Sequence, residues 1–352
     1  MKEIKSALKE RAEEWPDRTT GYYKFVNLKN NLILEFESES QKNKFNKDIF
    51  DFVLTLKPII VCGSMKSGTS FFKSLFDGHK NIFVLPAEPK IYRNFINNQT
   101  KKKSVKEIAD LFLNIVLSPT GREPFLLFGE TKDTYLDFYK NFQSVYEITK
   151  KISFVEVLYC FVELMHRKKI INYKDLKYFL VKTPENEFYY DEIKNYLSLN
   201  FPNTGNNPHF LHIVRNPIQN IDSLKKLSSI RNNQFNFMHT LSVVMTSHFL
   251  SKKREDIEKY DVLRYEDITF KTNSIMNKIS RNINIEFDDC MKSPTEFGML
   301  CKNNSMKKKL RNNPAGAIYT SEDIENLTKE EIEYIKASWE FNLNRKIDEN
   351  TY

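Results

Sequence analysis

The sequence predicts an α/β protein: a doubly wound, mainly parallel sheet flanked by helices, with a phosphate-binding strand–loop–helix and a helical insertion. Two observations carry this. Short, wholly apolar, β-branched runs recur with helix-like segments between them, as expected for strands buried on both faces of a parallel sheet. And glycine is scarce, with only nine in 352 residues, yet Gly63, Gly68 and Gly78 crowd together directly after the first such run.

In order along the chain, residues 1–56 read as an N-terminal extension. It has a helix over 2–15 stopped by Pro16, strand-like pieces over 22–37 and a helix over 38–52. Residues 57–352 form the main domain. Residues 58–63 (PIIVCG) are the first buried strand, and 68–78 the helix after it. A mostly helical insertion follows over about 93–175, with helices over 104–117 and 153–169. The second strand, YFLV at 178–181, leads through Lys182-Thr183-Pro184 into the helix-like ENEFYYDEIKNYL. The third, FLHIV at 210–214, leads through Arg215-Asn216-Pro217 into a helix. The fourth ends at Val262-Leu263, before Arg264-Tyr265-Glu266-Asp267 and a helix to about Asn282. No internal repeat is visible.

Composition narrows the function classes. A 40% apolar content supports a sizeable core and argues against disorder. The net charge of +8 points to an anionic partner. Cations without acids cluster at Lys90, Arg93, Lys101, Lys102, Lys103 and Lys106, and again at Lys302, Lys307, Lys308, Lys309 and Arg311. Taken singly, such runs are by default solvated surface. The four cysteines and six histidines show no CxxC or HExxH spacing, so no metal site is expected. The charged N-terminus lacks a signal-peptide stretch, and the longest apolar runs fall far below the roughly twenty residues that span a bilayer. No membrane span and a cytoplasmic chain are expected.

The chemistry gathers at the strand ends. In Gly63-Ser-Met-Lys-Ser-Gly-Thr-Ser70 two glycines bracket four residues. The backbone can curl so that N–H groups converge on an anion, joined by the start of the next helix. A kinase or GTPase loop places its lysine after the second glycine. Here Thr69 stands there and Lys66 sits inside the loop, and the third strand ends in Arg215 rather than a metal-binding aspartate. Magnesium-dependent phosphoryl transfer is disfavoured. Lys182-Thr183-Pro184 and Arg215-Asn216-Pro217 each predict a cation at a strand end, a capping residue, then proline at the first helical position. Strand C-termini share one edge of a parallel sheet, so Lys66, Lys182, Arg215 and Arg264 would meet a polyanion there. Ser223, eight residues after Arg215, is on spacing alone an ordinary helical serine.

Together these segments resemble the sulfotransferases that use 3′-phosphoadenosine-5′-phosphosulfate (PAPS), over roughly residues 57–340 and closer to the glycan-type branch than to the small-molecule branch. Lys66-Ser-Gly-Thr-Ser70 is similar to the family's 5′-phosphosulfate loop. Arg215-x-Pro217 with Ser223 is similar to its 3′-phosphate motif, and Lys182-Thr-Pro184 and Arg264-Tyr-Glu-Asp267 also recur there. The resemblance implies that Lys66 offsets charge on the leaving nucleotide. It places Lys66, Ser67, Gly68, Thr69 and Ser70 on the 5′-phosphate and Arg215 and Ser223 on the 3′-phosphate. Lys308, Lys309 and Arg311 would close over the nucleotide. Phe71 stands where some members stack on adenine, with a core role as the other option. Glu88, 22 residues after Lys66, matches the position of the glycan-branch general base, although Ala87 replaces a common lysine. His79 and His166 are the alternatives.

The resemblance further implies PAPS as cofactor, PAP as product, and an acceptor hydroxyl or amine, with a carbohydrate as the leading acceptor. Glu88, Lys90 and Lys182 would face that acceptor. A tyrosine or small-molecule acceptor, a divergent nucleotide kinase and a nucleic-acid-binding protein are the competing readings. The last predicts steep salt dependence and leaves the loop without a purpose.

Overall fold

The computed structural model describes residues 45–85, 88–97, 131–150, 153–202, 208–296, 299–300 and 324–343. The expected elements over 1–44 and 104–117, and the basic stretch with Lys308, Lys309 and Arg311, lie outside them. Among these residues the order begins with helix α1 (Lys47–Val53), whose N-cap Asn46 accepts from the Ile49 amide. Strand β1 (Lys57–Cys62) follows, then helix α2 (Thr69–Ser74) and strand β2 (Ile82–Val84). Next come α3 (Thr131–Thr149), α4 (Phe154–Arg167), β3 (Tyr178–Lys182), α5 (Tyr190–Asn200) and β4 (His209–Val214). Helices α6 (Pro217–Ile230) and α7 (Phe237–Arg254) precede β5 (Tyr260–Arg264). Helices α8 (Tyr265–Phe270) and α9 (Thr272–Asn282), the short hairpin β6 (Thr295–Glu296) and β7 (Met299–Leu300), and α10 (Lys329–Leu343) complete the order.

The five-stranded sheet has the order β2-β3-β1-β4-β5, so the α/β class holds. The four predicted strands are present. The apolar run at β2 was not anticipated as a strand of its own, because three residues give too short a pattern to read. Three helix expectations change. The helix expected over 38–52 starts at Lys47, behind its N-cap Asn46. The helix after β1 ends at Ser74 rather than at Gly78, which lies beyond it at φ +84°. After Lys182-Thr183-Pro184, Glu185 takes the left-handed conformation (φ +69°), a 3₁₀ turn spans Asn186–Tyr189, and the helix starts only at Tyr190. Thr183 and Pro184 therefore do not open a helix.

The chain divides into two compact units. The first comprises 1–57, 83–181 and 195–206. Its centre is aromatic: Phe154, Phe179 and Phe201 are fully buried and lie ring to ring. Helix α4 starts on a capping box, Ser153 with Glu156, and buries nearly all of its length. The Asn46 amide donates to the Tyr159 hydroxyl at 3.0 Å, fastening α1 to α4.

The second unit comprises 58–82, 182–194 and 207–352. Strands β1, β4 and β5 are parallel neighbours, with Cys62 opposite His212 and Val214 opposite Arg264. Strands β1 and β4 are buried along almost their whole length. On one side Ile218, Ile221, Leu241, Val244, Met245 and Ile335 join α6, α7 and α10 in a single apolar cluster. Among the described residues no helix is long and apolar enough to cross a membrane.

Candidate active site

Because β1, β4 and β5 run parallel in register, their C-terminal ends lie at one edge, and the three segments that leave them converge. The β1 exit is the loop of residues 63–68. Three of its residues have positive φ: Gly63 (+138°), Lys66 (+67°) and Gly68 (+102°). Only glycine fits at both ends. A Cβ on Gly63 would lie 2.2 Å from the Ile213 carbonyl oxygen, and one on Gly68 would lie 2.2 Å from the Tyr265 ring. Lys66 is not glycine, so its left-handed backbone is a strained conformation that its surroundings must hold.

Three neighbouring segments hold it. Arg215, at the exit of β4, donates from Nη1 to the Lys66 carbonyl at 3.0 Å. Its guanidinium lies over the Tyr265 ring, 4.8 Å from the centroid, and the same ring packs under Gly68. The Ser67 amide closes the loop onto the Ser64 carbonyl at 3.1 Å. Asn220 of α6 donates to Ser64 Oγ at 2.8 Å. At the loop's entrance the Gly63 amide donates to Glu187 Oε2 at 2.9 Å. Gly63 is therefore required for close approach to β4, and its own N–H faces Glu187 rather than a ligand.

The β4 exit is held just as firmly. Asn216 caps α6 by accepting from the Ile218 and Gln219 amides, with Pro217 in the first turn, as the sequence predicts. The Asn216 amide donates to the buried carboxylate of Glu266 at 2.8 Å. The Arg215 carbonyl meets His248 Nε2 at 3.0 Å, and His248 packs edge-on against Trp339. Burial drives the His248 pKa down to about 4, which keeps it neutral.

The sequence-predicted residues of this unit assemble as follows. Lys66 is half-buried, Ser67 and Thr69 are buried, and Ser70 is exposed. Phe71 is half-buried and meets Tyr265 edge to face at 6.0 Å. Arg215, Ser223 and Lys182 are buried cations and hydroxyl. Arg264 is half exposed and lies 4.0 Å from Glu266; its neighbours Tyr265 and Glu266 are the members of that motif that reach the site. His79 is committed to the Glu286 carbonyl and the Asn81 amide, which leaves it a structural residue. In the first unit Glu88 is half-buried and Lys90 exposed at φ +46°. His166 there meets the Ile171 carbonyl and the Tyr173 ring.

Sequence reasoning missed Glu187, Ser247, Asn220 and His248. Each serves the loop or Arg215 from a distant part of the chain, and none carries a local spacing signal. Glu266 was in view inside Arg264-Tyr-Glu-Asp267 but without its role.

Two hydroxyls decide what the arrangement can hold. Ser67 Oγ and Thr183 Oγ1 are buried and have no hydrogen-bond partner among the described residues. A buried hydroxyl without a partner costs about 1–3 kcal/mol, so two at one strand edge beside Lys66 suit the oxygens of a bound oxyanion. The sulfotransferase family model matches residues 58–289. The chain belongs to the sulfotransferase family. It is similar in structure to the sulfotransferase domain from the curacin biosynthetic pathway, at 14% identity over 83% of this chain and 99% of that one, TM-score 0.47. A sulfotransferase from Mycobacterium avium is 14% identical over 93% of this chain and 86% of its own, TM-score 0.43. A mouse sulfotransferase complexed with PAP is 11% identical over 86% and 91%, TM-score 0.42. A search of curated proteins returns no match.

Proposed function

We propose that this sulfotransferase takes the sulfuryl group from PAPS and passes it to a hydroxyl or amine of a carbohydrate acceptor, with Glu88 as general base. The observation that carries the donor assignment is the buried pair Ser67 Oγ and Thr183 Oγ1, set around a loop whose lysine sits inside it. When bound, PAPS supplies an activated sulfuryl group on a bisphosphorylated nucleotide. Lys66 stabilises the charge that develops as the nucleotide leaves. Ser67, Gly68, Thr69 and Ser70 hold the 5′-phosphate, and Arg215 and Ser223 hold the 3′-phosphate. Phe71 stacks on the base. Lys308, Lys309 and Arg311, outside the described residues, close over the nucleotide.

Glu88 accepts the proton of the acceptor hydroxyl, and Lys90 and Lys182 bind the acceptor. The glutamate at that spacing is what favours a saccharide over a phenol or other small molecule. Residues 57–352 form the catalytic domain with a helical insertion over about 93–175, and 1–56 an extension. The chain's free, buried Cys62 and Cys160 suit a reducing cytoplasm.

Calorimetry with adenosine 3′,5′-bisphosphate and with ATP, each with and without magnesium, tests the donor. Tight bisphosphate binding that ignores magnesium is expected; no binding, or binding that needs the metal, overturns the reading. Lys66→Ala and Glu88→Gln should each abolish transfer to a saccharide panel, with Glu88→Gln keeping wild-type bisphosphate affinity. Normal turnover by Glu88→Gln reassigns the base.

A further inference from the structure

Behind the loop lies a polar chain that the donor assignment does not use. Glu187, in the 3₁₀ turn after β3, is completely buried. Its Oε2 accepts the Gly63 amide at 2.9 Å, and its Oε1 accepts the Ser247 hydroxyl at 2.6 Å. Ser247 Oγ lies 3.0 Å from His212 Nε2, and His212 Nδ1 lies 2.8 Å from the Tyr260 hydroxyl. Burial pushes the His212 pKa down to about 3, so its ring is neutral. With the ring proton on Nε2, one direction satisfies every member: Tyr260 donates to His212, His212 to Ser247, and Ser247 to Glu187. Arg254 donates to the Glu187 backbone carbonyl, fixing the residue from the other side.

Burying a carboxyl group is costly, and an apolar side chain of similar size would fill the same space. What an apolar side chain could not do is receive the Gly63 N–H. That amide belongs to the first residue of a loop whose later residues, Lys66 and Gly68, are held in left-handed conformations by Arg215 and Tyr265. The loop is thus fastened at its exit by a cation and an aromatic ring; at its entrance Glu187 takes the Gly63 amide, while the Glu185 amide donates to the Gly63 carbonyl at 3.0 Å. We propose that Glu187 is a positioning residue of the donor loop: by holding the Gly63 amide it sets the turn from which the rest of the loop meets the donor. This rests on reading residues 63–70 as the donor-binding loop.

The test is calorimetry of the full chain with adenosine 3′,5′-bisphosphate, without metal, alongside hydrogen exchange at the Gly63 amide. Glu187→Leu removes both acceptors. It should bind the bisphosphate at least about tenfold more weakly and expose the Gly63 amide to exchange, since a lost buried hydrogen bond of this kind is typically worth a factor of ten or more. Glu187→Gln keeps an acceptor for Gly63 while its amide donates to Ser247, with the chain reversed through the other His212 tautomer. It should restore affinity to within about threefold of wild type. Wild-type binding by Glu187→Leu, or a loss in Glu187→Gln as deep as in Glu187→Leu, overturns the proposal.

Should Glu187→Leu not fold, Ser247→Ala frees Oε1 without touching the loop. It should weaken binding about threefold and speed exchange at Gly63; no change in either overturns the proposal. If wild-type protein fails to bind the bisphosphate, the donor assignment falls. The exchange measurement still decides whether Glu187 holds the loop.

Discussion

The exits of β1 and β4 are built from the same parts and finished differently. Each has a backbone amide taken up by a buried glutamate from another segment, Glu187 for Gly63 and Glu266 for Asn216. At β4 the backbone groups that follow are bonded within the protein: Asn216 caps α6 and His248 meets the Arg215 carbonyl. At β1 the backbone is strained at Lys66, and Ser67 and neighbouring Thr183 keep buried hydroxyls with no partner among the described residues. The β4 exit is held by its own backbone bonds and serves as the support. The β1 exit combines backbone strain with open hydroxyls, which is what the proposed donor site asks of it.

The largest effect expected from this contrast is at Gly63. Gly63→Ala puts a Cβ 2.2 Å from the Ile213 carbonyl oxygen at φ +138°. Backbone of a central strand cannot yield as a side chain can, so the cost should exceed about 3 kcal/mol. Gly68→Ala meets the Tyr265 ring instead, which can rotate away, and should cost less stability. It would disturb the ring beneath Arg215, however, and so weaken bisphosphate binding. Urea melts of both variants check the order; Gly63→Ala as stable as Gly68→Ala would mean the first approach is not rigid.

Next in size is a pH effect that singles out Glu187. Burial raises its pKa to about 7, against hydrogen bonds from Ser247 and Gly63 that lower it, with Glu185 adding to the rise. Between about 4.5 and 7 the folded protein therefore holds a proton that the unfolded chain has lost, so this group's contribution to stability falls as pH rises through that window. The span approaches about 3 kcal/mol at most. Buried His212 and His248, lowered to about 3 and about 4, act in the opposite sense. They are neutral when folded and charged when unfolded, so stability is lost as pH falls below about 6.5. The observable is the difference between proteins: Glu187→Gln should gain on wild type from pH 5 to pH 8, measured by denaturant melts at each pH. A constant difference would show that Glu187 does not titrate there.

How much of this was legible beforehand follows from where each signal lives. The four longer strands, the cap-and-proline start of α6 and the loop itself are local patterns of a few residues, and the sequence carries them openly. The segment after Lys182 looked like the one after Arg215, yet the Thr183 hydroxyl has no partner among the described residues and Glu185 turns left-handed. Spacing does not distinguish a threonine that caps from one turned inward. The supports were invisible for a related reason. Glu187 reaches Gly63 across more than a hundred residues of chain, and Asn220 reaches Ser64 across a similar distance. Partners so far apart are fixed by topology alone.

The finest test sets one residue of each exit against the other. Ser67→Ala removes a buried hydroxyl that has no partner among the described residues. The ligand-free protein should lose no stability and should gain up to about 1 kcal/mol. Bisphosphate affinity should nevertheless fall about tenfold, because a hydrogen bond to a charged oxygen is worth roughly 1.5–3 kcal/mol. Asn216→Ala should do the reverse. It deletes the acceptor for the Ile218 and Gln219 amides, costing about 1 kcal/mol of stability. Affinity should stay within about threefold, since the Glu266 bond to the Asn216 amide survives the substitution. Thermal melts without ligand and calorimetry with the bisphosphate read the two quantities separately. If Ser67→Ala destabilises the free protein as much as Asn216→Ala does, the hydroxyl already has a partner and needs no ligand. Opposite signs in the two variants would locate the ligand at Ser67 of the β1 exit.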